Sequence, residues 1–174
     1  GAGLTVGHTP ETDEEEEGYY LSSGWWVLWF KAGMFPQEAK AAVIELCGEL
    51  PAVGEVFKAE KDFGNQYEIE QKEIFNLPGA FKRCTIDYRV TNIMQQQGKT
   101  LIRILQAEEG RNVCAVSEVF LDLIDLKSID YENGETEPFG PCAISPEAPF
   151  VYWGNDCCYL MAGRRTSDGE TEAE

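Results

Sequence analysis

The chain offers few side chains of the kinds that carry out catalysis. Its one histidine, His8, lies in an acidic leader that we expect to stand outside the folded core. A Ser-His-Asp triad, a Cys-His dyad and a histidine-rich metal site all require an imidazole in that core. The sequence contains no GxGxxG motif, no Walker loop and no GxSxG elbow. These observations argue against triad hydrolases and against nucleotide-dependent enzymes.

Thiols are the second group with chemical potential. Six cysteines stand at positions 47, 84, 114, 142, 157 and 158, and no CxxC pair occurs. A zinc site would need four thiolates from distant segments, so we predict no metal ligands. Two interpretations stay open. The cysteines are either buried thiols that act as small apolar side chains, or they form one or two disulfides, for example between the Cys142 loop and the last hairpin.

Carboxylates are abundant, but their spacing does not define a catalytic pair. Asp122 and Asp125 are close in sequence, yet on a strand they would face opposite sides. The loop 130–135 resembles a calcium loop only superficially, because Gly134 is its fifth residue and the EF-hand glycine is the sixth. We therefore assign no catalytic residue, no metal and no cofactor, and expect at most an apolar ligand.

Charge separates the two ends of the chain from its body. The 174 residues include 31 acidic and 14 basic ones, for a net charge of −17. Residues 1–17 hold six of the acids and no base, and residues 164–174 hold four acids and two arginines, which leaves 21 acids and 12 bases in between. We predict disordered acidic tails at 1–17 and 164–174 around a single β-rich domain at 18–163. The acidity argues against nucleic acid as a partner.

The elements that would position these groups are mostly strands. The pattern predicts a strand at 19–31 with large aromatics on both faces, followed by an amphipathic helix between Pro36 and Pro51. After this helix the hydrophobic period changes to two. Further strands are predicted at 55–63, 67–75, 81–93, 100–108, 112–125 and in a closing hairpin over 150–161.

Hairpin connections between successive strands produce an antiparallel sheet. We therefore predict a mostly β (α+β) fold, an antiparallel meander of about eight strands with one amphipathic helix after the first strand. The sheet would be either strongly curved or closed as an up-and-down barrel. The longest apolar run, Trp25–Phe30, is far shorter than the ~20 residues that span a bilayer. We expect a soluble protein, with peripheral membrane contact still open.

Aromatic side chains crowd the first predicted strand and the closing hairpin. In a closed barrel the first and last strands are neighbours, so the two groups would form one cluster. Such a cluster fits an ordinary core, a pocket for a flat or long apolar ligand, or an exposed anchor patch on a larger assembly.

The segment Ser22-Ser23-Gly24-Trp25-Trp26-Val27-Leu28-Trp29 resembles the Gly-x-Trp first strand of lipocalin-like (calycin) barrels. It is also similar to the Gly-x-Trp-x-Leu-x-Tyr opening of the plastid lipid-associated proteins, the fibrillins. Residues 151–160 are similar in outline to the late fibrillin hairpin, with Trp153 where that family has arginine. The resemblance covers the two ends of the body and implies a non-catalytic barrel around a hydrophobic molecule. The positions to test for ligand binding are then Trp25, Trp29, Tyr88 and Trp153.

The sequence thus predicts a non-enzymatic β-barrel protein that binds an apolar small molecule, such as a lipid, isoprenoid or pigment. One alternative is an accessory or scaffold subunit of a larger complex, which the acidic tails and surplus aromatics favour. Another is a hotdog-type thioesterase or dehydratase acting through carboxylates, which the hairpin series 81–125 suits. We expect a processed N-terminus because the chain begins at Gly1, and both a plastid location and secretion stay open.

Overall fold

The computed structural model describes residues 3–13, 15–23, 25–35, 37–60, 64–66, 76–124, 139–155 and 157–165. The strands in this part of the chain are β1 (Leu4–Thr9), β2 (Gly18–Ser23), β3 (Trp26–Lys31), β4 (Val56–Glu60), β5 (Gly64–Gln66), β6 (Ile86–Gln97), β7 (Thr100–Ala107), β8 (Val113–Ser117), β9 (Phe139–Ala143), β10 (Phe150–Gly154) and β11 (Cys158–Gly163). The helices are a 3₁₀ turn (Ala32–Met34), α1 (Gln37–Cys47), α2 (Leu77–Lys82) and α3 (Glu118–Ile124).

All eleven strands belong to one sheet with the order β5-β4-β1-β2-β3-β11-β10-β9-β6-β7-β8. The ten pairings between neighbours are antiparallel. The order is open, with β5 and β8 at its two ends among the described residues. The predicted mostly β antiparallel fold is confirmed. The predicted count of about eight strands is too low, and the main helix follows the third strand instead of the first.

The segment predicted as one strand at 19–31 is a hairpin of β2 and β3. Ser23 lies opposite Trp26, and the Ser22 hydroxyl donates to the Trp26 carbonyl at 3.0 Å. Both strands are rich in aromatic and apolar residues, which hides the turn from a pattern that counts only hydrophobicity.

The N-terminal segment differs from the disordered tail predicted over 1–17. Residues Leu4–Thr9 form β1, which pairs with β2 on one side and with β4 on the other. Leu4, Val6 and His8 alternate along this strand, but the acids that follow dominate the composition. At the other end, Arg164 of the predicted tail 164–174 is buried, and residues 166–174 lie outside the described part.

The sheet is apolar on both faces. We call the larger hydrophobic group, with Leu28, Phe30 and Trp153, the inner cluster, and α1 and α3 pack against it through Val43 and Phe120. The outer cluster lies on the opposite face and is covered by α2; its buried members are Trp29, Leu77, Ala80, Cys142, Tyr152, Tyr159 and Met161. This arrangement accounts for the large aromatics that the sequence places on both faces of the segment 19–31.

Other elements refine the predictions. The long strand expected at 112–125 ends at Ser117, and helix α3 begins at the next residue. Gly64–Gln66, which lies between the predicted strands 55–63 and 67–75, is strand β5, and residues 67–75 lie outside the described part of the chain. The closing hairpin is present as β10 and β11. No helix in the described part of the chain has the length and hydropathy that a membrane crossing requires.

Candidate functional site

The structure does not gather the four predicted ligand-binding residues into one site. Tyr88 and Trp153 lie in the inner cluster, whereas Trp29 lies in the outer cluster on the other face of the sheet. Trp25 precedes β3 and is 43% exposed, with its backbone carbonyl accepting from the Gly163 amide at 2.8 Å. Trp29 and Trp153 therefore serve opposite faces of the sheet, and Trp25 lies outside β3.

Trp29 fills space in the outer cluster. Its ring lies 5.8 Å from that of Tyr159, which is its cross-strand partner in β11. A Cβ atom on Gly18 would come within 2.3 Å of the Trp29 indole, so the glycine lets this ring lie flat against β2. The expected neighbourhood of the first aromatic strand and the last strand is real, because β3 pairs with β11.

Tyr88 forms a polar group inside the apolar interior. Its hydroxyl donates to Oδ1 of Asn112, and it interacts with Cys114 and with the guanidinium of Arg164, which is only 4% exposed. Burial, followed by the nearby Cys114 thiol, raises the pKa of Tyr88 to about 12. Arg164 was not predicted as part of a site because it belongs to the segment 164–174, which the composition predicts as an acidic tail.

The single histidine is also inside the fold, which corrects the expectation that it lies in a disordered leader. His8 is 7% exposed and stacks on Tyr19 with ring centroids 4.0 Å apart. Its Nδ1 lies 3.0 Å from the Pro51 carbonyl oxygen, and its Nε2 lies 3.4 Å from Oε1 of Glu17. These contacts join β1 to β2 and to the segment before β4.

The β6–β7 hairpin carries exposed apolar side chains. Val90, Ile93, Met94 and Leu101 are between 40% and 56% exposed, and we call these four residues the hairpin surface. Isolated exposed apolar residues are normal, but several on one hairpin are typical of an interaction site. The two strands are long, with the pairing running from Tyr88↔Ala107 to Gln97↔Thr100.

Charge distinguishes this hairpin from the rest of the chain. Residues 88–107 contain Arg89, Lys99 and Arg103 and no acidic residue, in a chain of net charge −17. Arg103 is held by Glu118 of α3 through two hydrogen bonds of 2.7 and 2.9 Å. The signal in the sequence is the number of bases, because residues 88–107 hold three, whereas the equally long acid-free stretch 18–37 holds one.

One edge of β6 is largely unpaired within the described residues. β9 pairs with β6 only at Ile86 and Asp87, and from Tyr88 onward the pairing of β6 is with β7 alone. The register shifts between Val90 and Met94, where the Thr91 hydroxyl donates to the Ile104 carbonyl and the Arg103 guanidinium donates to the Thr91 carbonyl. An unpaired edge presents backbone amides and carbonyls to another strand.

An acidic groove of about 250 Å³ lies at the base of this hairpin and is lined by Thr85, Ile86, Asp87, Glu108 and Glu109. In the ranges that the structure describes, no group of three or more histidine, cysteine, aspartate or glutamate side chains is arranged to hold a metal ion. Carboxylates around an open groove are well solvated, so the groove by itself defines no chemistry.

Comparisons with known proteins do not assign this chain to a family. No protein-family model, no curated protein and no solved structure matches this chain at a significant level.

Proposed function

We propose that the protein is a non-enzymatic binding subunit that recognises a protein partner through the β6–β7 hairpin. The observation that carries this proposal is the hairpin surface, with its four exposed apolar side chains beside a strand edge that no other described strand pairs with beyond Asp87. Covering such side chains removes apolar area from water, and this burial stabilises a complex by roughly 25 cal/mol per Å². The accessory-subunit hypothesis is therefore favoured over the ligand-binding one.

The chemistry of the hairpin also favours one kind of partner. An extended segment could continue the sheet by pairing with the edge of β6, where backbone groups give affinity and side-chain contacts give specificity. Because Glu118 compensates Arg103, the remaining cations of the hairpin are Arg89 and Lys99. A segment that alternates apolar and acidic residues would match both the apolar and the cationic features.

The test compares a hairpin variant with a matched control in quantitative affinity capture from the native source. The hairpin variant carries Ile93→Ser, Met94→Ser and Leu101→Ser, and the control carries Ile44→Ser, Leu46→Ser and Val53→Ser, which are similarly exposed elsewhere. We expect a partner that the unmodified protein and the control recover equally and that the hairpin variant loses at least about tenfold. The captured segment is then synthesised and titrated directly.

The contribution of the hairpin's positive charge to partner binding is tested with a separate pair of variants. Lys99→Glu reverses a cation on the hairpin, whereas Lys82→Glu reverses an exposed cation on α2. We expect the first change to weaken binding of the synthesised segment, mainly through slower association, and the second to have little effect. Binding that all variants retain, or the failure of the unmodified protein and the control to share any partner, would overturn the proposal.

A second proposal, binding of an apolar small molecule, rests on a different observation. Tyr88 and Trp153 share the inner face with Arg164, so an amphipathic molecule with an acidic head would find a cation and a hydroxyl inside an apolar surround. Organic extraction of the purified protein followed by mass spectrometry tests it. One stoichiometric molecule is the expected result, and an extract identical to a blank preparation argues against it.

A further inference from the structure

Two cysteines that are 58 positions apart in sequence meet in the outer cluster. Cys84 follows α2, and Cys142 lies in β9. The backbone holds them together because Thr85 donates from its amide to the Ala143 carbonyl at 2.9 Å and from its hydroxyl to the Ile144 carbonyl at 2.8 Å. Asp87 is then the cross-strand partner of Cys142.

The two thiols are members of the same buried cluster and interact there. The Cys142 thiol donates to the Tyr152 carbonyl at 3.4 Å, and the Cys84 thiol donates to the Ala80 carbonyl at 3.6 Å. The interaction between the two thiols lowers the pKa of Cys84. The same interaction, together with burial, raises the pKa of Cys142. Cys84 is half-buried and Cys142 is fully buried. A small reagent can therefore reach Cys84 first, and the more acidic thiol is the one that it reaches.

We propose that Cys84 and Cys142 are a redox-active thiol pair that low-molecular-weight disulfides oxidise to an intramolecular disulfide. This inference is independent of the hairpin surface and of any partner. In thiol–disulfide exchange, one thiol attacks the oxidant and a second thiol then displaces the bound half from the mixed disulfide. The half-buried Cys84 suits the first role, and the buried Cys142 suits the second.

The reaction balances with oxidised glutathione as the oxidant. The Cys84 thiolate attacks one glutathione sulfur, the glutathione S–S bond breaks, and the first glutathione leaves as a thiolate that takes up a proton. Ionisation of Cys142 is then no longer opposed by a negative neighbour, and its sulfur attacks Cys84 Sγ. The second glutathione leaves with the proton of Cys142. Two protein thiols lose two electrons, and one disulfide gains them.

Peptide mapping tests the pairing in the full-length protein. Combined digestion with trypsin and a glutamate-specific protease leaves Cys84 in residues 84–89 and Cys142 in residues 136–147, apart from the adjacent cysteines 157 and 158. After treatment of the folded protein with oxidised glutathione, we expect these two peptides to be joined. We also expect a loss of two of the six thiols, and dithiothreitol should restore both.

Three variants test the order of attack. Cys142→Ser should accumulate glutathione on Cys84, whereas Cys84→Ser should remain unmodified at Cys142. Cys47→Ser, which removes a buried thiol from α1, should still form the disulfide. Separate glutathione adducts on both cysteines of the unmodified protein without a linked peptide would overturn the proposal. Linkage of either residue mainly to another cysteine would do the same.

Discussion

Ala115 of β8 and Arg165, which lies two residues beyond β11, form an isolated antiparallel bridge. The Arg165 amide donates to the Ala115 carbonyl at 2.7 Å. Because β8 and β11 stand five places apart in the sheet order, the sheet must curl strongly for these residues to meet. The bridge also fixes the neighbouring Arg164 beside Tyr88 in the interior.

The two arginines should differ sharply in their effect on stability. Arg164→Ala removes a buried side chain and its interaction with Tyr88, and we expect it to lower the free energy of unfolding by about 2–4 kcal/mol. Arg165→Ala keeps the backbone bridge to Ala115 and should change stability by less than about 0.5 kcal/mol. Urea denaturation measures both, and equal effects would contradict the assigned burial.

Tyr88 should make stability depend on alkaline pH. Its pKa is raised from 10.0 to about 12 in the folded protein, so folding stabilises the protonated phenol. The stabilisation is complete below about pH 10 and is lost as pH rises towards 12, because the unfolded chain releases the proton first. It amounts to about 2–3 kcal/mol at most. Comparing Tyr88→Phe with the unmodified protein between pH 9 and 12 isolates this contribution, and parallel curves would refute it.

Replacing the buried Trp29 should destabilise the fold far more than replacing the partly exposed Trp25. Trp29→Ala removes the ring that lies against Gly18 and Tyr159, and we expect a loss of about 3–5 kcal/mol. Trp25→Ala affects a side chain that is 43% exposed and should cost less than about 1 kcal/mol. Thermal unfolding followed by circular dichroism compares the two, and similar midpoints would contradict the placement.

Adjacent positions of β7 should show that the hairpin surface does little for folding. Ile102 is fully buried, whereas its neighbour Leu101 is 40% exposed. We expect Ile102→Ala to lower the free energy of unfolding by about 2–4 kcal/mol and Leu101→Ala by less than about 1 kcal/mol. A large cost for Leu101→Ala in chemical denaturation would assign the exposed residues to the core instead of to an interface.

The local pattern predicts the antiparallel class and much of the later sheet. The turns at Gly98 and Gly110 have the positive φ angles of 59° and 82° that favour glycine, which is why the strands around them are visible in the sequence. The prediction fails at β1 because composition was averaged over residues 1–17. The acids that follow β1 dominate this average and hide the alternation of Leu4–Thr9.

The candidate sites are harder to predict because they depend on long-range pairing. Cys84 and Cys142 become neighbours only through the β6–β9 ladder, and their separation in sequence gives no hint of it. Tyr88 and Arg164 meet only because the sheet curls. The charge of the β6–β7 hairpin is the exception, since three bases and no acid can be read directly from residues 88–107.

The position of β11 has a consequence for how the protein is made. This strand is the last of the eleven in sequence, yet it lies between β3 and β10 in the middle of the sheet. During synthesis, more than a hundred residues must therefore be added after β3 before its partner β11 leaves the ribosome. Pairings of such high sequence separation slow folding. The nascent chain exposes an aromatic strand edge throughout that time, so its yield in cells should depend on chaperones that shield such edges.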